Sequence, residues 1–336
     1  MTILEIHESL KEDTVLYRTL DFYGAANIIK DRKFMFCRAD QFQDRNEGID
    51  RLLAQLEAAR PNSGCGYGWK DKETAKKEHE RVKLSHYISC WSTNAESVAM
   101  WSLYSTDLCS VRVSTTVGKL RSAVENLIQK YNIDRFTQDD IGKPITIACN
   151  ARIAPVVYAS LHKISALVAR RSKAAKIAYE RYEKKNGCPP PIFHESTTNY
   201  WNRENQREFK ELRMTCNLKD RSFEHEAEVR VAVRLGREPL RKRFIDEIEC
   251  MNPEHEFHKP FLRTLSYFSL LNEKCTPERE FVDCHDNFID SVAIDPRCPN
   301  HKANFMIDWF KSHNIKIVES TCFGYLPDTF ESYPEG

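Results

Sequence analysis

The chain has almost no net charge: fifty basic and forty-nine acidic side chains leave +1 over 336 residues. That near-cancellation gives no global signature of a nucleic-acid or membrane binder, so any such function has to be argued from a local patch. No stretch approaches the roughly 18 consecutive apolar residues that a membrane-spanning helix needs. Residues 1–13 lack the basic start, apolar centre and small-residue cleavage site of a secretory signal, so a cytoplasmic protein is expected. Several catalytic templates are missing too. There is no Gly-x-Gly-x-x-Gly, no Gly-Lys-Ser/Thr phosphate loop, no His-Glu-x-x-His and no Gly-x-Ser-x-Gly. Their absence disfavours dinucleotide oxidoreductases, P-loop NTPases, zincins and α/β-hydrolases. No internal repeat or low-complexity segment occurs.

What is present suits a globular fold: 41% of residues are hydrophobic and 11% aromatic. Twelve cysteines are scattered singly, with no Cys-x-x-Cys pair, and many lie in apolar segments such as 34–37. Free thiols packed as small hydrophobes are the expected state. The nearest approach to a metal pattern, Cys284-His285 with Cys298 and His301, lacks the tight paired spacing of structural zinc.

Alternating and β-branched runs predict strands at 14–19, 33–38, 85–92, 109–116, 145–158, 223–235, 287–295 and 316–320. Helical spacing predicts helices at 21–29, 49–59, 97–104, 118–130, 160–186, 201–216 and 304–313. The 237–284 stretch shows no clear period. This pattern predicts a single α+β domain over 1–336, with a mixed or antiparallel sheet core, surrounding helices and a basic helical insertion at about 159–215. The helix at 160–186 carries eight Lys and Arg against Glu180 and Glu183.

Four elements could carry chemistry. In the strand predicted at 223–233, strict alternation puts Glu224, Glu226, Glu228 and Arg230 on one face and Phe223, Val229 and Val231 on the other. Such a row is either a solvated surface or a site. Carboxylates so arranged repel unless a cation or polar ligand lies between them, and they could steady an oxocarbenium-like centre, act as a base or hold a metal. Tyr17 and Arg18 lie on the first of these strands, where Arg18 either clamps a phosphate or carboxylate or pairs with one of those glutamates. Trp91, Trp101 and Tyr104 either fill core or stack on a base or nicotinamide ring. Asp44, Asn46 and Glu47 form a weaker polar loop.

In order along the chain, Leu16-Tyr17-Arg18, the run Phe36-Cys37-Arg38-Ala39-Asp40-Gln41-Phe42-Gln43-Asp44 with Glu47-Gly48, and Ser89-Cys90-Trp91-Ser92 resemble the bacterial family catalogued as domain of unknown function 2971. Met100 to Tyr104, Phe223 to Arg230 and Ile294-Asp295-Pro296 match it as well, so the resemblance spans about residues 16–325. Arg45 stands where that family often carries proline. The family's layout is similar to that of ADP-ribosyltransferases, and the resemblance therefore implies an ADP-ribosyltransferase-like fold with NAD as substrate. It implies that Tyr17, Arg18, Trp91, Trp101, Tyr104 and Arg230 bind the cofactor, and that Glu226 and Glu228 are catalytic. The expected activity is ADP-ribosyl transfer or NAD hydrolysis by a bacterial toxin or phage-defence effector, with a partner protein of a defence system as an expected associate. Two alternatives stand beside it. One is a nucleic-acid-binding or metal-dependent nucleic-acid-processing protein that uses the basic helix; the other is a non-catalytic sensor or interaction subunit that takes a small ligand, such as a nucleotide, in the same pocket.

Overall fold

A computed structural model describes residues 3–49, 76–132 except 78, 81 and 82, then 137–188, 216–240 and 277–324. The helices expected at 49–59 and 201–216 lie essentially outside these residues, as does most of 237–284.

The described residues build a ten-stranded, mostly antiparallel open sheet with helices packed on it, an α+β architecture. In chain order its first elements are β1 (Ile3–Ile6), β2 (Val15–Asp21), α1 (Phe22–Asp31), β3 (Lys33–Arg38) and β4 (His86–Ser92). Then come α2 (Val98–Tyr104), β5 (Ser110–Thr116), α3 (Val117–Lys130), β6 (Pro144–Pro155), β7 (Val157–Ala159) and α4 (Leu161–Asn186). The last are β8 (Leu218–Asp220), β9 (Glu228–Pro239), β10 (Arg279–Asp283), β11 (Ser291–Ile294), α5 (Asn300–Ser312) and β12 (Lys316–Ile317). The strand order is β1-β6-β9-β4-β2-β5-β11-β12, with β3 and β10 branching from β4, while β7 and β8 form a separate parallel pair.

Local chemistry explains most boundaries. Asp21 ends β2 and caps α1, its Oδ1 accepting from the Gly24 N–H at 2.7 Å. Ser97 and Thr116 cap α2 and α3 in the same way. Gly187 stops α4 in the left-handed conformation at φ 66°.

One face of the sheet is core. Leu16, Trp91, Val111, Val113, Val229, Val231 and Val233 pack there against Ala25 and Ile28 of α1, Leu120, Val124 and Leu127 of α3, and Met306 and Phe310 of α5. The opposite face of β4 and β9 is polar at one end, because register pairs Ser92 with Glu228 and Cys90 with Arg230.

The sheet forks beside that end. β4 pairs with β9 over seven residues, but on its other side it meets β3 only at Ile88 and Tyr87 and β2 only at Ser92. Between those contacts β2 and β3 diverge. Arg18 of β2 lies in the fork, its Nη1 donating to Ser89 Oγ at 2.9 Å and reaching the Met35 carbonyl of β3 at 3.5 Å.

The strand expected from residue 223 does not start there. Arg221–Glu226 is a 3₁₀ turn, and β9 begins only at Glu228. Asp220 caps the turn by accepting from the Ser222 N–H at 3.0 Å, and Ala227 closes it with φ 43°. Alternation therefore holds for Glu228, Arg230, Val229 and Val231 but not for Glu224, which is exposed and paired with Arg221.

Replacing Asp21 by Ala is expected to lower the unfolding free energy by about 1 kcal/mol through the lost cap. In urea this reads as a lower midpoint with an unchanged slope.

Candidate functional site

The polar end of β4 and β9 opens into a cleft of about 740 Å³. Its floor is the fork, with Tyr17, Arg18, Cys90 and Trp91; α2 supplies Met100, Leu103 and Tyr104. Phe42, Gln43 and Asp44 come from the loop after β3, and Lys219, Phe223, Glu226 and Glu228 form the remaining wall. A cleft of this size, apolar with a few convergent polar groups, is the usual form of a small-molecule site.

The wall rests on a buried ionic chain. Arg230 is 1% exposed, and its guanidinium meets Glu47 in a bidentate fork, Nη1 to Oε1 at 2.5 Å and Nη2 to Oε2 at 2.8 Å. Its Nε donates to Glu228 Oε1 at 2.8 Å, and Nη1 also reaches the Cys216 carbonyl at 2.6 Å. Glu228 Oε2 then meets Lys219 Nζ at 2.8 Å, and the same ammonium lies 2.6 Å from Glu226 Oε2. The Tyr104 hydroxyl donates to Glu226 Oε1 at 3.0 Å, so α2 is joined to the chain's last carboxylate.

The electrostatics follow from these contacts. Burial alone would raise the Glu228 pKa, but the charges of Arg230 and Lys219 and the Arg230 hydrogen bond hold it down at about 2. Lys219 is lowered by burial and raised more by its two glutamates, so it remains firmly protonated. Burial and the neighbouring Glu226 push the Tyr104 hydroxyl well above its ordinary value, which keeps it a donor. Arg18 differs from the other cations. Burial lowers its pKa, and among the described residues no carboxylate forms an ion pair with it; Ser89 Oγ and the Met35 carbonyl are neutral partners. Trp91 lies beneath it, 5.9 Å from the guanidinium carbon to the ring centroid.

Glu226 and Glu228 converge on one ammonium because Ala227 between them is left-handed. Both flanking carbonyls are held: Ser92 Oγ donates to the Glu226 carbonyl at 2.7 Å, and the Thr93 N–H to that of Ala227 at 3.0 Å. A non-glycine residue in this region costs about 1–2 kcal/mol, and such strain concentrates at functional sites.

The structure brings Tyr17, Arg18, Asp44, Trp91, Tyr104, Glu226 and Glu228 to the cleft. Arg230 is not among its lining, and all its donors are engaged by Glu47, Glu228 and Cys216, leaving none for a ligand. Glu47 belongs with it, buried at 1%. Trp101 also lies outside the cleft, 1% exposed, packed with Ala293 and Cys322, its Nε1 donating to Ser320 Oγ at 3.3 Å. Trp91 is 2% exposed and packs edge-on to Phe34 and Phe288, so only part of it reaches the cleft floor. Lys219 is the residue that sequence reasoning missed. Its signal was local: Asn-Leu-Lys-Asp ahead of three glutamates places one cation where their charges need it.

Among the described residues no three His, Cys, Asp or Glu side chains are placed to hold a metal ion, so Cys284, His285, Cys298 and His301 do not form one centre. Cys37, Cys90, Cys109, Cys188, Cys216, Cys284, Cys298 and Cys322 are free thiols, the last four of these buried. No described helix is long and apolar enough to cross a membrane.

Truncating Glu47 to Ala leaves Arg230 buried with half its pairing, and the expected loss is about 3–5 kcal/mol in chemical denaturation. A second expectation concerns acid. The folded Glu228 pKa lies below its ordinary value of 4.5, so its contribution to stability is complete above pH 4.5 and is lost as pH falls towards 2. The stability difference between wild type and Glu228→Gln should therefore shrink across that window, read as converging melting temperatures.

The chain matches no family model, no curated protein and no solved structure.

Proposed function

We propose that this protein is an ADP-ribosyltransferase-like enzyme that uses NAD, in the manner of a bacterial toxin or phage-defence effector. The observation that carries the reading is the charge division of the cleft. On one side Arg18 is a cation with no carboxylate partner among the described residues. On the other, three glutamates (Glu47, Glu226 and Glu228) share two cations, Arg230 and Lys219, leaving an excess of negative charge beside the opening. NAD carries charge in the complementary sense, with an anionic pyrophosphate and a cationic nicotinamide ring. The resemblance to the family of domain of unknown function 2971, and through it to the ADP-ribosyltransferase layout, supports the same assignment.

On this reading the Arg18 guanidinium takes the pyrophosphate. The nicotinamide ribose lies against Glu226 and Tyr104, with the ring over the aromatic and apolar groups of the floor. The bond between ribose C1′ and the nicotinamide nitrogen breaks, and its electron pair leaves with neutral nicotinamide. Positive charge develops on the ribosyl carbon and ring oxygen, where the Glu226 carboxyl group, fixed by Lys219 and Tyr104, offsets it. An acceptor nucleophile or water then bonds to C1′ and releases its proton. Glu228, held near pKa 2 between two cations, supports Lys219 and does not exchange protons near neutrality.

Incubation with NAD labelled in the adenylate half is expected to give transfer to an acceptor or free ADP-ribose, with nicotinamide released in equal amount. Glu226→Gln keeps the shape of the wall and should slow turnover by about 10²-fold or more. Arg18→Lys keeps the charge but loses the fork, and should raise KM more than it lowers kcat. If NAD neither binds nor turns over with any acceptor class, the reading is wrong.

A further inference from the structure

The long helix α4 carries a pattern that the cleft does not use. At 3.6 residues per turn, Lys163, Arg170, Lys173, Arg181, Lys184 and Lys185 fall within an arc of roughly 120°. All six are exposed, and among the described residues no acidic group pairs with any of them. The ion pair recorded on this helix among the described residues joins Lys176 to Glu180 at 4.0 Å, on the flank of that arc. A solvated helix face ordinarily mixes signs at i and i+4 spacing; here Glu180, four residues before Lys184, lies just outside the arc and Glu183 farther round it, and among the described residues neither pairs with a member of the arc. In a chain with a net charge of +1, six cations on one arc with no acidic partner among the described residues are a strong local segregation.

The stripe is also long. Lys163 and Lys185 are 22 residues apart, or ~33 Å along the axis at 1.5 Å per residue. That approaches one turn of a nucleic-acid duplex, about 34–36 Å. Its root is fixed at the cleft. The Leu161 N–H donates to Asp220 Oδ2 at 3.2 Å, β7 pairs with β8, and the residue before Asp220 is Lys219 of the cleft wall.

We propose that α4 is a docking strip for the phosphodiester backbone of a nucleic acid, which its anchored end leads to the rim of the cleft. The assignment rests on charge and geometry alone and does not depend on the NAD reading. Binding of this kind is sequence-independent and releases condensed counterions, so its affinity falls steeply with salt.

Fluorescence anisotropy of a labelled DNA duplex of about two helical turns, and of its RNA counterpart, tests this with the full chain. With six phosphate contacts, log affinity should fall against log salt with a slope of about −5, or roughly three orders of magnitude between 50 and 200 mM. The quadruple variant Arg170→Gln, Lys173→Gln, Arg181→Gln and Lys184→Gln should reduce that slope to about −2. Glutamine is a good helix former, and an unchanged circular dichroism spectrum and melting temperature establish that the fold is kept. Tighter binding of the DNA or the RNA duplex identifies the polymer. Absence of binding at about 50 mM salt, a slope untouched by the four substitutions, or binding only to vesicles of anionic lipid would each overturn the proposal. Loss of NAD turnover with duplex binding intact bears on the cleft and not on the strip.

Discussion

The buried pair between Glu47 and Arg230 is the constraint on which the rest of the site depends. The two residues are 183 positions apart, and both are 1% exposed. Each would be very costly alone at such depth, because desolvation of an ion is repaid only by a partner in good geometry with its remaining valences filled. Here the fork is bidentate, and Glu228 and the Cys216 carbonyl take the other guanidinium donors. The consequence is topological. The loop after β3 cannot leave β9 without stranding a buried charge, so Phe42, Gln43 and Asp44, which precede Glu47, are held over the cleft.

The same pair sets the character of the glutamates. Because Glu47 takes the terminal nitrogens of Arg230, only Nε and one long contact remain for Glu228. Lys219 is therefore drawn to Glu228 as well, and from there it reaches Glu226. Two residues that look equivalent in sequence acquire different work. Glu228 lies between two cations as a fixed anion, while Glu226 is held by one cation and a phenol at the end of the chain. Of the two, Glu226 is the group whose environment a ligand could alter.

Legibility in the sequence followed the range of the interactions involved. The strands β3 and β4, and the helices α1, α2 and α3, were readable because alternation, helical spacing and caps such as Asp21 and Ser97 act within a few residues. The start of β9 was not. Alternation of charge from Glu224 to Arg230 imitates a strand, while the feature that breaks it, a left-handed alanine, leaves no mark on hydrophobic pattern. Arg230 and Trp101 read as ligand groups for a related reason. Residue type announces chemistry, but only long-range packing reveals that Glu47 satisfies the first and that Ala293, Cys322 and Ser320 enclose the second. Glu47 was visible only as part of a polar loop, since its partner comes from a strand 183 residues later.

The fork in the sheet explains why a cleft exists at this place. A strand paired along its full length on both sides presents a closed surface, whereas β4 is closed by β9 on one side and only touched at its two ends on the other. The divergence of β2 and β3 leaves the middle of β4 without strand neighbours there, and an apolar side chain would leave polar groups in the gap unmet. Arginine suits the position because its guanidinium lies over Trp91 and donates to Ser89 of β4 and to the Met35 carbonyl of β3, across the gap from its own strand β2. That geometry uses only part of the guanidinium, which carries five N–H donors. Among the described residues, the one that holds the fork together is thus also the cation of the cleft left without an anion, and structural support and ligand recognition need not be alternatives at Arg18.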